Sequence, residues 1–360
     1  MADSPFMRNV WYVAAKADEI NRQPLARTIC NEPIVFYRRE DGGPVAVEDR
    51  CCHRRMPLSR GEVHGDNLRC WYHGLVFDPS GQCVYVPAQT TIPPNAKIKS
   101  YPVVERYNWI WIWMGDPALA DPAKITDYRW ATDEGWGAET TLFHVKGDYR
   151  LIVDNLMDLS HLAYVHRSTI GNYAVAEAAD SRVFRHKDGV TVVRWVVDQA
   201  APPSYVKAGK FTGNVDRWQI IDWRPPGFVR LFTGAAPNAA GGKDFGFIDL
   251  DTPTPPGGIG LRNLNAITPE TETTTHYFWG QAQDIQPKSA EFTHMVFNEI
   301  HKAFIQDWEV FELQQRTIDR DPDSPTIDIN ADAGPLACRQ MLERLVAEEN
   351  QASRAAVAAE

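Results

Sequence analysis

Two short ligand clusters constrain this 360-residue chain more than any other feature: Cys51-Cys52-His53-Arg54 and Cys70-Trp71-Tyr72-His73-Gly74. Each offers one thiolate and one imidazole, with Cys ahead of His by two residues in the first and three in the second. Residues 54–69 separate them. A structural zinc site also draws on two Cys and two His, but zinc spacing usually pairs like with like. Mixed pairs suit a binuclear iron–sulfur cluster held asymmetrically, with Cys51 and Cys70 on one iron and His53 and His73 on the other. Zinc, a disulfide or unpaired core residues remain the competing readings.

The composition sets the frame. At 360 residues, 44% hydrophobic and 23% charged, the chain has material for two or three globular domains. A net charge of −10 argues against nucleic acid or an anionic membrane as partner. Of the six Cys, only Cys51 and Cys70 stand in a ligand-like context, and no disulfide framework emerges. With no apolar run long enough to span a bilayer and no signal-like N-terminus, the expectation is no membrane association and a reducing cytoplasm.

Short strands dominate the first third. Ile34–Tyr37 leads into the turn Asp41-Gly42-Gly43 and a strand at Val45–Val47, and Trp109–Trp113 reads as a strand buried on both faces. A Pro/Asp-rich stretch from Asp116 to Asp127 resembles a linker. Beyond it, strands are expected at 182–185, 190–197, 218–223, 228–233 and 274–279. Helices are expected at 151–161, at 291–317 and from Met341 onward. The expected organisation is α+β: a β domain over residues 1–125 and a larger domain over 126–360.

A second constellation lies in the larger domain. In Asp154-Asn155-Leu156-Met157-Asp158-Leu159-Ser160-His161, a helix would place Asp154, Asp158 and His161 on one face. His166 follows five residues later, so the helix must end or bulge for both His to converge. Two His and one carboxylate form the facial triad of a non-haem Fe(II) site, with positions open for O2. Asp158 is one candidate carboxylate. Asp307 is another, lying within a helical stripe of Phe297, Ile300, Phe304, Phe311 and Gln314, where a carboxylate is costly unless paired or metal-bound. A buried ion pair or a loop cap would also explain Asp307, and one core and one surface His would explain His161 and His166.

Together these residues resemble the oxygenase subunit of a Rieske non-haem iron oxygenase, in the vanillate O-demethylase branch. The resemblance runs through Arg8–Ala15, Pro24–Arg38, both cluster loops, Gly147–Gly171, Val215–Ile220 and Ile267–Gly280. It implies an all-β Rieske [2Fe–2S] domain followed by a helix-grip domain, whose curved antiparallel sheet and long helix enclose a substrate cavity. It implies Cys51, His53, Cys70 and His73 as cluster ligands and His161, His166 and Asp307 as ligands of a mononuclear Fe(II). Asn155 and Asp158 match the family's Asn-x-x-Asp, in which the Asp bridges a cluster His of one subunit to an iron His of the next in a homotrimer. A separate reductase with flavin and a plant-type [2Fe–2S] cluster would bring electrons from NAD(P)H. Cys52 departs from the family, which usually has Pro there.

The expected reaction is monooxygenation by O2 that O-demethylates a methoxylated aromatic acid to a phenol and formaldehyde. N-demethylation, methyl hydroxylation of another aromatic such as a sulfonate, or electron carriage by a ligand-binding protein are the alternatives. Ring cis-dihydroxylation is disfavoured, because those catalytic subunits are usually longer. Arg230, alone among apolar strand residues, is a candidate for the substrate carboxylate or for a solvent-facing position. Asn265 and Trp279 are carried over from the family's pocket-lining strands as candidates for the cavity wall, with sheet packing as the alternative.

Overall fold

A computed structural model describes residues 3–171, 179–237 and 250–359. The chain divides into two compact units. The first runs to Ile125 and includes Thr268–Glu272 and the last residues from Ala352; the second holds Thr126–Ile267 and Thr273–Gln351. Among the described residues, no helix is long and apolar enough to cross a membrane.

The first unit is built from short antiparallel strands. They are β1 (Trp11–Lys16), β2 (Leu25–Ile29), β3 (Glu32–Arg38), β4 (Pro44–Glu48), β5 (Glu62–His64), β6 (Asn67–Arg69), β7 (Val76–Phe77), β8 (Cys83–Tyr85), β9 (Ser100–Tyr101), β10 (Val103–Arg106) and β11 (Trp109–Trp113). Among the described residues they form sheets of order β2-β3-β4-β9, β5-β6-β7-β8 and β1-β11-β10. The central position of β11 in the last sheet explains its composition: all five residues are buried, so both faces must be apolar. After it, Asp116 and Asp121 each cap a short 3₁₀ turn, at Pro117–Leu119 and Pro122–Lys124, so the Pro/Asp-rich stretch has local order.

The second unit centres on an antiparallel sheet of β12 (Gly137–Val145), β13 (Asp180–Arg185), β14 (Val190–Ala200), β15 (Asn214–Arg224), β16 (Phe228–Ala236), β17 (Ile259–Pro269) and β18 (Thr275–Gln283). Among the described residues its order is β12-β18-β17-β16-β15-β14-β13. The five strands expected from the sequence are present and longer; β12 and β17 were not anticipated. Every residue of β17 is buried despite Arg262, Asn263 and Asn265: the two Asn are hydrogen-bonded to neighbouring strands, and Arg262 donates to the backbone carbonyls of Leu250 and Thr252.

Helices α1 (Tyr149–Met157), α2 (Pro203–Gly209), α3 (Ala290–Arg320) and α4 (Ala333–Ala359) complete the described elements. Ser289 caps α3, its hydroxyl accepting from the Phe292 amide at 3.2 Å. The buried stripe of α3 runs through Phe297, Ile300, Phe304, Asp307 and Phe311, then passes through Gln315; Gln314 is exposed, contrary to expectation. Trp279 of β18 stacks beneath this stripe, with ring centroids 4.8 Å from Phe297 and 4.5 Å from Phe304.

Candidate metal centres and cavity

The two cluster loops share one backbone design. The Cys51 amide donates to Met56 O at 2.9 Å and the Arg55 amide to Cys51 O at 3.0 Å. In the second loop the Cys70 amide donates to Leu75 O at 2.7 Å and the Gly74 amide to Cys70 O at 3.0 Å. The fourth residue after each Cys, Arg55 or Gly74, turns the chain at positive φ, 58° and 71°. Cys51 and Cys70 are buried in the core formed with Leu58, Leu68, Leu75 and Phe77. His53 and His73 are exposed, their ring centroids 4.7 Å apart. Burial pushes the Cys51 thiol up to about 12, opposed by a hydrogen bond from the His53 backbone and reinforced by Cys70 alongside. Two neighbouring buried sulfurs become thiolates only against a cation, as metal ligation provides. Cys52 is exposed.

The second centre lies where α1 ends. Asp148 caps α1, accepting from the Arg150 amide at 2.9 Å, and the helix buries Ile152 and Leu156 on one face. It stops at Met157, earlier than expected, because Asp158 is extended (φ −123°, ψ 103°). A 3₁₀ turn over Leu159–Ala163 follows, and the Asp158 carboxylate caps it by accepting from the Ser160 amide at 2.8 Å and hydroxyl at 2.9 Å. Asp154, Asp158 and His161 therefore do not share a helical face. Asp154 pairs instead with Arg339 of α4.

This break lets His161 and His166 converge. The donor atoms of His161, His166 and Asp307 all lie within 4.8 Å of one another. Asp307 Oδ1 is 3.0 Å from His166 Nε2 and 3.6 Å from His161 Nε2. The Asn155 amide donates to the same oxygen at 3.2 Å, while its own Oδ1 is buried without a partner. His161 Nδ1 lies 2.7 Å from the Asp158 backbone carbonyl, and His166 Nδ1 lies 2.9 Å from Gln306 Oε1. Both acceptors fix the proton on Nδ1 and leave the Nε2 lone pair facing Asp307. Two acceptors 3.0 Å apart require a proton or a cation between them. Without a cation, burial lowers the His161 pKa; the Asp307 carboxylate outweighs burial at His166 and raises its pKa. The donor set thus fits a divalent metal with open positions. Gln306 had no signal in the sequence, since a polar residue beside Asp307 on a long helix reads as surface.

These three residues line a cavity with Asn155, Leu159, Leu162, Ile170, Leu231, Ile300 and Phe304; its empty space, mouth included, is about 510 Å³. Polar groups enter from the sheet: Arg217 and Gln219 of β15, Thr233 of β16 and Asn263 of β17. Gln219 pairs with Thr233 and Leu231 with Asn263, so cross-strand register places them on one face.

Three expected substrate residues fall elsewhere. Arg230 alternates with Leu231 and so takes the opposite face, where it pairs with Asp222 at 2.5 Å and donates to Asp127 O at 3.3 Å. Asn265 donates to Val229 O at 2.9 Å and accepts from the Tyr277 hydroxyl at 2.6 Å. Trp279 sits behind Asn263, donating to its Oδ1 at 2.8 Å. None of the three lines the cavity.

Comparison with known proteins accounts for both centres. Residues 10–102 match the Rieske [2Fe-2S] domain, and residues 145–348 match the vanillate O-demethylase oxygenase C-terminal domain. The chain is 41% identical to a toluene-4-sulfonate monooxygenase system iron-sulfur subunit of Comamonas testosteroni, over 96% of this chain and 98% of that one. It is 40% identical to a vanillate O-demethylase oxygenase subunit of a Pseudomonas species, over 98% and 99%. The crystal structure of dicamba monooxygenase bound to dicamba superposes with a TM-score of 0.84 at 32% identity, covering 97% of this chain and 99% of that one. Such relatives are named as subunits or components, which implies a separate partner component. The chain belongs to the Rieske non-haem iron oxygenases, in the family of vanillate O-demethylase oxygenase subunits.

Proposed function

We propose that this chain is the terminal oxygenase of a multicomponent monooxygenase that O-demethylates a methoxylated aromatic acid. The observation that carries this reading is the convergence of His161, His166 and Asp307 on a largely apolar cavity. In this reading they hold Fe(II), and Cys51, His53, Cys70 and His73 hold the cluster. Iron so placed would supply O2 activation: with two electrons from the reductase and two protons, one oxygen atom would enter a methyl C–H bond of the ether and the other would leave as water, and the hemiacetal would collapse to a phenol and formaldehyde.

The protein's own residues position and insulate. The Asp158 carbonyl and Gln306 hold both imidazoles with Nε2 inward. Asn155 orients Asp307, and Leu159, Leu162, Ile300 and Phe304 exclude water around the methyl group. We assign electron entry to a reductase carrying flavin and a plant-type [2Fe–2S] cluster, fed by NAD(P)H. We assign transfer to a homotrimer in which the Asp158 carboxylate meets His53 or His73 of a neighbouring subunit.

The test combines purified protein, a surrogate reductase, NADH and a panel of methoxybenzoates, with formaldehyde and the phenol as readouts. Stoichiometric release of both from at least one acid is expected; O2 consumption without either product overturns the reading. The 41% identity to a toluene-4-sulfonate monooxygenase subunit favours a second reading, hydroxylation of an aryl methyl group. It would yield a benzylic alcohol and no formaldehyde.

A further inference from the structure

Arg217, on β15, is 2% exposed and lines the same cavity as His161, His166 and Asp307. Its Nη2 donates to Ile170 O at 3.3 Å, and Tyr205 lies against it, the ring centroid 4.8 Å from the guanidinium carbon. Nε and Nη1 are buried with no hydrogen-bond partner, so each edge of the guanidinium fork keeps an unmade donor. No carboxylate among the described residues pairs with it. Asp307 is engaged by His166 and Asn155, and Asp216 points from the other sheet face to the Asp198 amide. The neighbouring buried cation, Arg194, differs: it donates to Gln219 Oε1 at 3.0 Å and lies in the field of Asp158.

A buried guanidinium without a counter-charge is costly, and one that faces a cavity marks a site where an anionic ligand can supply the missing charge. The remaining wall is largely apolar, with Leu159, Leu162, Ile170, Leu231, Ile300 and Phe304 facing the space. The cavity is thus matched to an apolar body with one negative end. Building on the proposed reaction, we infer that Arg217 is the specificity residue of this site and binds the carboxylate or sulfonate of an aromatic anion from the sheet side. Its fork geometry suits both oxyanions, whereas a neutral substituent would leave the cation unpaired.

The experiment is equilibrium binding by calorimetry to the full-length holoprotein, with 4-methoxybenzoate, toluene-4-sulfonate and neutral 4-methoxybenzamide as probes. Wild type should bind at least one anion well and the amide poorly. Arg217→Leu should weaken anion binding by about 50-fold or more and change amide binding by less than about 3-fold. Arg217→Lys, which keeps charge but not the fork, should fall between. Loss confined to one anion identifies carboxylate or sulfonate as the group recognised. A folded Arg217→Leu protein, verified by circular dichroism, that binds the anions like wild type overturns the inference. If that variant fails to fold, Arg217→Gln takes its place under the same criterion. Formaldehyde measured in parallel separates the claims. Anion binding that depends on Arg217 without formaldehyde from any methoxylated probe would refute the reaction and leave the anchor standing. Formaldehyde release with anion affinity indifferent to residue 217 would do the reverse.

Discussion

Replacing Gly171 by Ala should disable the mononuclear centre without touching any proposed ligand. His166 is held by a compact turn: its amide donates to Leu162 O at 3.2 Å, and its carbonyl accepts from Thr169 N at 2.9 Å and Gly171 N at 3.0 Å. A Cβ on Gly171 would lie 1.7 Å from Leu162 O, and real Cβ atoms essentially never come within 3.0 Å of another heavy atom. The clash is with backbone, so no rotamer relieves it, and the turn must open by roughly 1.3 Å or more. Overpacking of this kind costs ~1–3 kcal/mol in stability. A displacement near 1 Å at a metal ligand is worth about 100-fold in rate. The expected protein is folded, melts a few degrees lower, keeps its cluster absorbance, and loses mononuclear iron with a roughly 100-fold drop in formaldehyde release. Metal analysis alongside the visible spectrum and a product assay checks this. Full iron occupancy with a rate within about 2-fold of wild type would show that the 162–171 turn does not position His166 as described.

Cys52→Pro should leave the cluster spectrum unchanged, because Cys52 is exposed while Cys51 and Cys70 point into the core; loss of the cluster would assign Cys52 a ligand role. Asp158→Asn should retain both metals, yet slow re-oxidation of the reduced cluster in single turnover by orders of magnitude, on the order of 100-fold or more. Re-oxidation at the wild-type rate would remove Asp158 from the electron path, and loss of mononuclear iron would make it a ligand. Arg230→Leu should cost ~1–3 kcal/mol in thermal or denaturant stability, since Asp222, 7% exposed, loses one of its charged partners and keeps Arg224. It should alter binding of acid and neutral probes equally; selective loss of the acid would return Arg230 to the pocket.

What was legible in the sequence depended on whether a residue's role is local. Both cluster loops could be read because Cys and His sit two or three residues apart, and the folded loops repeat one hydrogen-bond pattern around each Cys. Asp307 stood out as a carboxylate on an apolar helical stripe. The end of α1 did not, because nothing in Met157-Asp158-Leu159 stops a helix by propensity alone; the Asp158 side chain turns back to cap the next turn. As a result the backbone carbonyl of Asp158, not its carboxylate, orients His161. The sheet was hardest to read. In β17 every residue is buried although several are polar, so neither alternation nor an apolar run marks it. The same difficulty hid Arg217, whose unmade Nε and Nη1 donors are visible only once the cavity is assembled. It also favoured Arg230, whose counter-charge, Asp222, lies on the neighbouring strand.

Iron and acid-labile sulfide per chain, measured on protein purified without oxygen and compared with an Asp307→Ala variant, test the central claim most directly. The account predicts about three irons and two sulfides in the wild type, a low-average-g paramagnetic signal on reduction, and loss of one iron with the signal unchanged in the variant. Two irons in both proteins would make the chain an electron carrier without a catalytic metal. Zinc in place of iron at the Cys51, His53, Cys70 and His73 loops would contradict the account at its root.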